Sequence, residues 1–541
     1  MAQPHSFREI ISYFKNKQLV TIFIFGIASG FPWVMTGSAM SGWLKDEGLS
    51  RSSIGLFGLI FAAYSINFLW SPLTDRIKIW YLNSALGQRR SWIFSTQVVI
   101  IAATIALSYL NVQQQLSTMA LFALFITIAG ATQDIAIDAY RIDSLSNKDS
   151  NVMAAGSAMA TAGWWTGFAG LGSVPFILVD SPDWAWPDVY WVLAFIMTAL
   201  VFNTLISREP ESNGRDQIIH GIQEKYQQLM PSQGIRPYGV LFILPLIFLC
   251  IIYANIGYPY WPTQLIANDN QFSAVTLTIV MLLALFYQQL RAMNKDLALR
   301  FATNPKSVIQ STPSTIHRLA AWLIATSVAP IQEFFDRNGF KLAISILLFV
   351  FLFKIGEAYL GRMSIVFYRE VGFSNEDIAY FSKLIHWATT IVFSLIGSVF
   401  TIRYGILKGL FIGGIAMSAS NLLFAAMAVV GPNKMLFGFT VFVDGFTSAW
   451  GSVAFVALLS VLCNKTFTAS QYALMASLGT FGRVMVGSYS GIVVDWLDGN
   501  WALFFIMTSL MVIPSLCFLY SIRKPLTQLI DKHDQELKAS K

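Results

Sequence analysis

The sequence predicts an all-α protein that crosses a membrane about fourteen times. Three observations carry that expectation. Of its 541 residues, 55% are hydrophobic and only 12% are charged, whereas soluble domains carry about 25% charged residues. Apolar stretches recur from Leu19 to Tyr520, each of about 18 residues or more and so long enough to cross a hydrocarbon core of ~30 Å. The basic residues also fall on alternate sides of these stretches, as the positive-inside rule requires.

Spans are expected at 19–43, 52–73, 91–110, 116–142, 150–178, 186–207, 237–257, 273–292, 341–368, 375–402, 405–430, 434–462, 469–495 and 500–522. With the N-terminus in the cytoplasm, the cytoplasmic loops together with the cytoplasmic ends of the spans hold 28 of the 36 Lys and Arg residues. The outer loops hold Lys45, Arg51, Arg369 and Lys434, and the spans hold Lys354, Arg362, Lys383 and Arg483. Both termini are therefore expected in the cytoplasm. The first apolar run is too long for a cleavable signal and reads as a span that stays.

Residues 1–210 read as a six-helix bundle and 341–525 as a second one. The intervening 211–340 reads as a connector that inserts spans seven and eight, and 526–541 as a cytoplasmic tail. The apolar stretch from His317 to Phe335 is interrupted by Pro330 and short for a span. It is expected as an amphipathic helix on the cytoplasmic surface. Gly163, Gly167, Gly170 and Gly172 in span five match the texture of Gly479, Gly482, Gly487 and Gly491 in span thirteen. Small residues let helices approach closely in lipid, and the two spans hold equivalent places in the two halves. Trp184, Trp186 and Trp191 are expected in the interfacial aromatic belt. Cys250, Cys463 and Cys517 have no paired spacing and read as small core residues, with no disulfide framework or metal site.

An ionisable side chain at a helix centre costs roughly 2.5–3.5 kcal/mol on insertion scales, so those present are candidates for function. In span four, Asp134 and Asp138 share a helix face, and Arg141 can pair with Asp138 at i+3. Asp134 is a candidate proton-coupling carboxylate and Asp138–Arg141 a candidate gate pair; a structural ion pair is the competing reading. In span nine, Lys354 lies near the midplane with Glu357 at i+3. The pair either neutralises itself or serves as an anion-binding lysine governed by a protonatable glutamate. Arg483 in span thirteen stands among glycines, with a guanidinium suited to forked contact with carboxylate or phosphate. His386, which titrates near neutral pH when unperturbed, and Asp444 are further candidates for proton coupling. Trp33, Trp164 and Trp165 offer faces that could stack on a sugar ring.

No H-E-x-x-H, G-x-S-x-G or Walker loop occurs. An enzyme and an ATP-driven pump are both disfavoured, no cofactor is expected, and the energy source is expected to be an ion gradient. The net charge of +7 suits loops facing anionic lipid and requires no nucleic-acid partner. A monomer in a lipid bilayer is expected.

Between spans two and three, Asp75-Arg76 and Gly87-Gln88-Arg89-Arg90 resemble the G-x-x-x-D-R-x-G-R-R loop of major facilitator proteins. Ser71 stands at the first glycine position, and about ten residues are inserted before the basic end. That resemblance implies a conformational latch at Asp75 and Arg76. More specifically, SGFP at 29–32, FLWSPLTDR at 68–76, TQDIAIDAYRID at 132–143, FKIGEAY at 353–359 and the stretch 452–487 with its CNKTFTASQ core resemble AmpG-type muropeptide permeases. The eukaryotic acetyl-coenzyme A transporters share the span-four motif. The resemblance covers roughly 1–210 and 325–525.

It implies a major facilitator fold in a bacterial inner membrane, and proton-driven import of anhydromuropeptides (GlcNAc-1,6-anhydroMurNAc and its peptides) for cell-wall recycling and β-lactamase induction. The best-known members carry two extra spans at the C-terminus, whereas here the extra pair lies in the middle. The implied substrate is anionic, so Lys354 and Arg483 suit its carboxylates, Trp164 and Trp165 its sugar faces, and Gln133 its polar groups. Asp134, Glu357, Asp444 or His386 could carry the proton. Transport of acetyl-coenzyme A or another large organic anion, and a membrane sensor that binds cell-wall fragments without moving them, are the alternatives.

Overall fold

In a computed structural model, residues 17–49, 58–145, 150–179, 181–211, 328–374, 377–487 and 490–539 are described, with a few further positions between 217 and 326. Among them every regular element is helical. The first half contains α1 (Lys17–Gly30), α2 (Ser71–Arg76), α3 (Gln88–Ser108), α4 (Val112–Leu145), α5 (Ser150–Trp165) and α6 (Trp186–Ile206). The connector contributes α7 (Ala329–Asn338). The second half contains α8 (Phe340–Leu352), α9 (Ile355–Val371), α10 (His386–Tyr404), α11 (Ile406–Val430), α12 (Lys434–Val461), α13 (Thr468–Gly487), α14 (Ser490–Trp496), α15 (Trp501–Leu510) and α16 (Val512–Ala539).

Ten helices among the described residues are long and apolar enough to cross a membrane. Each of the ten overlaps a span expected from hydropathy. Residues 58–76 run as short 3-10 and α pieces ending in α2, and α13 and α14 are separate helices. Expected spans seven and eight fall almost wholly outside the described residues. In the connector, Pro330 opens α7 at its first turn, where a missing N–H costs nothing, rather than interrupting a helix. That helix runs past Phe335 to Asn338 and is followed by Gly339 at φ +71°.

Each half has its own core. Phe31, Met35, Trp43, Ile126, Val189 and Tyr190 lie in one cluster, and Phe367, Phe424, Phe437, Phe504 and Phe505 in the other. In the first half α1 packs on α5, and in the second α9 packs on α13, the pairing expected of related bundles. The glycines serve the two pairs differently. A methyl on Gly26 would sit 2.6 Å from the Ala160 carbonyl oxygen, and one on Gly163 would strike the Phe23 carbonyl. At Gly479 the nearest atom would be a Val350 methyl at 3.6 Å, an ordinary contact.

The halves also repeat a polar clasp. Trp186 Nε1, at the start of α6, donates to Asp46 Oδ2 (2.8 Å) at the end of the first crossing. Trp501 Nε1, at the start of α15, donates to Glu370 Oε2 (2.7 Å) near the end of α9. This corrects the interfacial reading of Trp186. It is buried, because a neighbouring carboxylate satisfies its N–H and its ring joins the core. Trp184 and Trp191 are exposed. The cysteines likewise divide: Cys463 is buried, but Cys517 is exposed, on the outer face of α16 where lipid solvates a thiol as well as a core does.

The halves meet along α5 against α10 and α12, and along α13 against α2 and α4. An apolar seam of Ile135, Ala139, Ala469 and Ala473 runs through the second contact, with Phe68 and Trp70 packed on it.

Candidate functional site

Lys354 does not continue a helix. Its backbone (φ −107°, ψ 13°) separates α8 from α9, so this crossing is discontinuous where the sequence suggested one helix. Broken helices in membranes expose backbone groups and helix termini to a ligand. Lys354 Nζ lies 3.1 Å from Glu357 Oε2 and donates to Ser452 Oγ (2.7 Å). Ser448 Oγ donates to Glu357 Oε1 (3.0 Å). Glu357 sits in the first turn of α9, where the helix dipole favours a carboxylate.

Asp444, Ser448 and Ser452 repeat every four residues, so one stripe of α12 faces this pair. The serines were missed in the sequence, although their spacing from Asp444 was a visible signal. Ser420 Oγ donates weakly to Asp444 Oδ1 (3.4 Å), and Asp444 is within electrostatic reach of Glu357. On α13, Arg483 is exposed and within electrostatic reach of Lys354 and Glu357. It makes no hydrogen bond or ion pair among the described residues. The second half thus gathers Lys354, Glu357, Asp444 and Arg483 into one polar group.

The first half presents aromatic rings. The Trp165 ring lies 5.5 Å from the His386 ring across the bundle interface. Trp164 stacks on Phe168 at 5.1 Å and meets Trp33 edge-on at 6.2 Å. Trp33 in turn stacks on Phe61 at 4.7 Å. A methyl on Gly445 would come within 3.4 Å of His386 Nδ1, so His386 sits one residue along from Asp444.

Asp134 forms no hydrogen bond or ion pair with the Lys354 group; it accepts a hydrogen bond from Ser29 Oγ of α1. Gln133 reaches toward α1. It is buried and its Nε2 donates to the Ala28 carbonyl (2.6 Å). One turn on from Asp134, Arg141 Nη2 pairs with Asp138 Oδ1 (3.0 Å). Arg141 Nη1 donates to Ser157 Oγ (3.0 Å) and, across the interface, to Ser460 Oγ (2.9 Å). Its guanidinium lies over the Tyr472 ring at 5.3 Å.

The basic end, which carries Arg76, Arg89 and Lys465, is sealed by a buried network. Arg89 bridges Asp75 Oδ1 and Asp143 Oδ2, both at 2.8 Å. Asp75 Oδ2 accepts from Ser470 N (3.0 Å) and Oγ (2.6 Å), placing a carboxylate of one half at the N-terminus of α13 in the other. Thr468 Oγ1 donates to Asp143 Oδ1 (2.7 Å). Arg76 is half-buried beside this network. Glu209 accepts from the backbone N–H groups of Arg89 (2.7 Å) and Arg90 (3.1 Å); burial pushes its carboxyl above the usual range while these bonds oppose the shift. Sequence reading identified Asp75 but not Arg89, Asp143 or Ser470 as its partners, because the contacts join residues up to 395 positions apart.

Two six-helix sets meeting in this way define a major facilitator fold. Solved structures agree. The proton:xylose symporter XylE bound to 6-bromo-6-deoxy-D-glucose superposes with a TM-score of 0.58 at 12% identity, over 95% of each chain. The human organic anion transporter MFSD10 (TETRAN) gives 0.50 at 14% identity, over 93% of this chain and 98% of that one. The chain therefore has the major facilitator fold, and its apolar helices are those of a multi-pass membrane protein.

Within that class it resembles the AmpG-type permeases over nearly its whole length. The "Anhydromuropeptide permease" of Escherichia coli is 27% identical over 520 residues, covering 96% of this chain and 82% of the relative. The "Putative transporter AmpG 4" of Rickettsia felis is also 27% identical, over 515 residues, covering 95% of this chain and 99% of the relative. The family described as "Acetyl-coenzyme A transporter 1" matches residues 18–186.

Proposed function

We propose that the protein imports anhydromuropeptides into the cytoplasm through an inner membrane, driven by protons. The observation that carries this is the polar group of Lys354, Glu357, Asp444 and Arg483 set mid-span at a helix break, in a chain similar throughout to a named anhydromuropeptide permease. Charges in that position are expensive, and Arg483 makes no hydrogen bond or ion pair among the described residues. Lys354 and Arg483 receive the substrate's carboxylates, and Trp164 and Trp165 receive sugar faces. Asp134, Glu357, Asp444 and His386 are the candidate proton carriers. Asp134 is ready for such a role because its bond to Ser29 survives in either protonation state.

The basic end is assigned to the cytoplasm by its positive charge, so the structure corresponds to a state closed toward the cytoplasm. Asp75, Arg76, Asp138 and Arg141 then belong to the gate that must part for release. Uptake of GlcNAc-anhydroMurNAc-tripeptide into right-side-out vesicles tests the reading. Arg483→Gln should reduce uptake at unchanged membrane abundance, and normal uptake would remove Arg483 from the site.

A second reading follows from the match at 18–186: transport of acetyl-coenzyme A, another large anion. Competition of muropeptide uptake by acetyl-coenzyme A would favour it.

A further inference from the structure

The charges of the mid-span group do not cancel evenly. Lys354 and Glu357 form a close pair at 3.1 Å, and each has a serine as a further partner. They neutralise one another. Arg483 and Asp444 remain. Arg483 is exposed and makes no hydrogen bond or ion pair among the described residues. Asp444 is half-buried, and its carboxylate has only the long 3.4 Å bond from Ser420. No cation pairs with it among the described residues.

An unpaired charge of each sign, held around a neutralised pair in a low-dielectric region, is costly unless a ligand supplies the complement. A purely anionic ligand would satisfy Arg483 and leave Asp444 facing more negative charge, next to Glu357. A ligand carrying both a carboxylate and an ammonium would satisfy both.

We infer that this site reads a dipolar amino-acid group: Arg483 takes a carboxylate and Asp444 takes a free amine on the peptide part of the substrate. The inference rests on the muropeptide reading and adds that amine-bearing peptides are preferred. The disaccharide then needs neither group and is held by the aromatic side alone.

The test is binding to the purified full chain in lipid nanodiscs, followed by tryptophan fluorescence. Four probes are compared: GlcNAc-anhydroMurNAc without peptide, the same disaccharide with a tripeptide ending in lysine, one ending in norleucine, and the lysine peptide with its C-terminus amidated. The wild type should bind the lysine peptide at least about tenfold more tightly than the norleucine peptide, the scale of one charge-assisted hydrogen bond. Asp444→Asn should erase that preference. Arg483→Gln should erase the difference between free and amidated C-termini.

Equal wild-type affinity for lysine and norleucine peptides would overturn the inference without any variant. So would an Asp444→Asn protein that weakens all probes alike, which is the behaviour of a proton carrier or structural group. Failure of the peptide-free disaccharide to bind is a separate result: it removes the muropeptide reading itself.

Discussion

Replacing Ser470 by Ala isolates one strut of the seal at the basic end. Ser470 Oγ donates to Asp75 Oδ2 at 2.6 Å between buried groups of different halves. A hydrogen bond to a charged group contributes about 1.5–3 kcal/mol. The substitution leaves the Ser470 N–H bond at 3.0 Å and the Arg89–Asp75 pair at 2.8 Å in place, so neither half loses internal structure. The equilibrium between sealed and parted ends should shift by roughly 10- to 150-fold toward the parted state. Cys463 is a built-in reporter, since it is buried at the same end, its thiol bonded to the Leu459 carbonyl (3.2 Å). In a background carrying Cys250→Ser and Cys517→Ser, a polar thiol reagent should label Cys463 faster by a comparable factor. Asp75→Asn should increase labelling further. It also strips the N-terminus of α13 of its anion and unbalances Arg89, at about 3–5 kcal/mol. Unchanged Cys463 labelling in both variants would refute the idea that this network holds the halves together.

Other perturbations separate pairing from packing. Lys354→Met leaves the Glu357 carboxylate uncompensated and should cost about 3–5 kcal/mol, read as a lower melting temperature in detergent; the double variant with Glu357→Gln should recover most of it. Gly163→Ala should abolish stable expression by driving α1 off α5, whereas Gly479→Ala, with 3.6 Å of clearance, should be near neutral in a thermal melt. Asp377, outside the spans, is held below the usual carboxylate range by hydrogen bonds from Lys434 and Ser374. A depressed folded pKa lends stability that is present above the unfolded value near ~3.9 and is lost as pH falls through the folded value. The melting-temperature gap between wild type and Asp377→Asn should therefore be constant near neutrality and close in the acid range; a gap that widens on acidification would contradict the pairing.

Hydropathy made the crossings legible because a helix in lipid must be both long and apolar. The break at Lys354 was not legible. FKIGEAY contains no proline, and the break depends on partners from α12 that the local sequence does not show. Lys354–Glu357 and Asp138–Arg141 could be read as pairs because an i,i+3 spacing fixes proximity on a helix. Arg89–Asp75–Ser470 could not, because helix spacing says nothing about which helices meet. Trp186 was misread for the same reason: its residue type suits an interface, and only the fold supplies Asp46. The Trp186–Asp46 and Trp501–Glu370 clasps show the two halves to be related more clearly than the glycine texture did, since Gly163 and Gly167 press on α1 whereas Gly479 and Gly491 have ordinary contacts.

The most direct measurement is accumulation of labelled GlcNAc-anhydroMurNAc-tripeptide in proteoliposomes with an imposed pH gradient, acid outside. Uphill accumulation that collapses with a protonophore and is lost in Arg483→Gln is the predicted result. Equilibration to the outside concentration regardless of the gradient, or no entry with the protein fully incorporated, would contradict a proton-driven muropeptide importer.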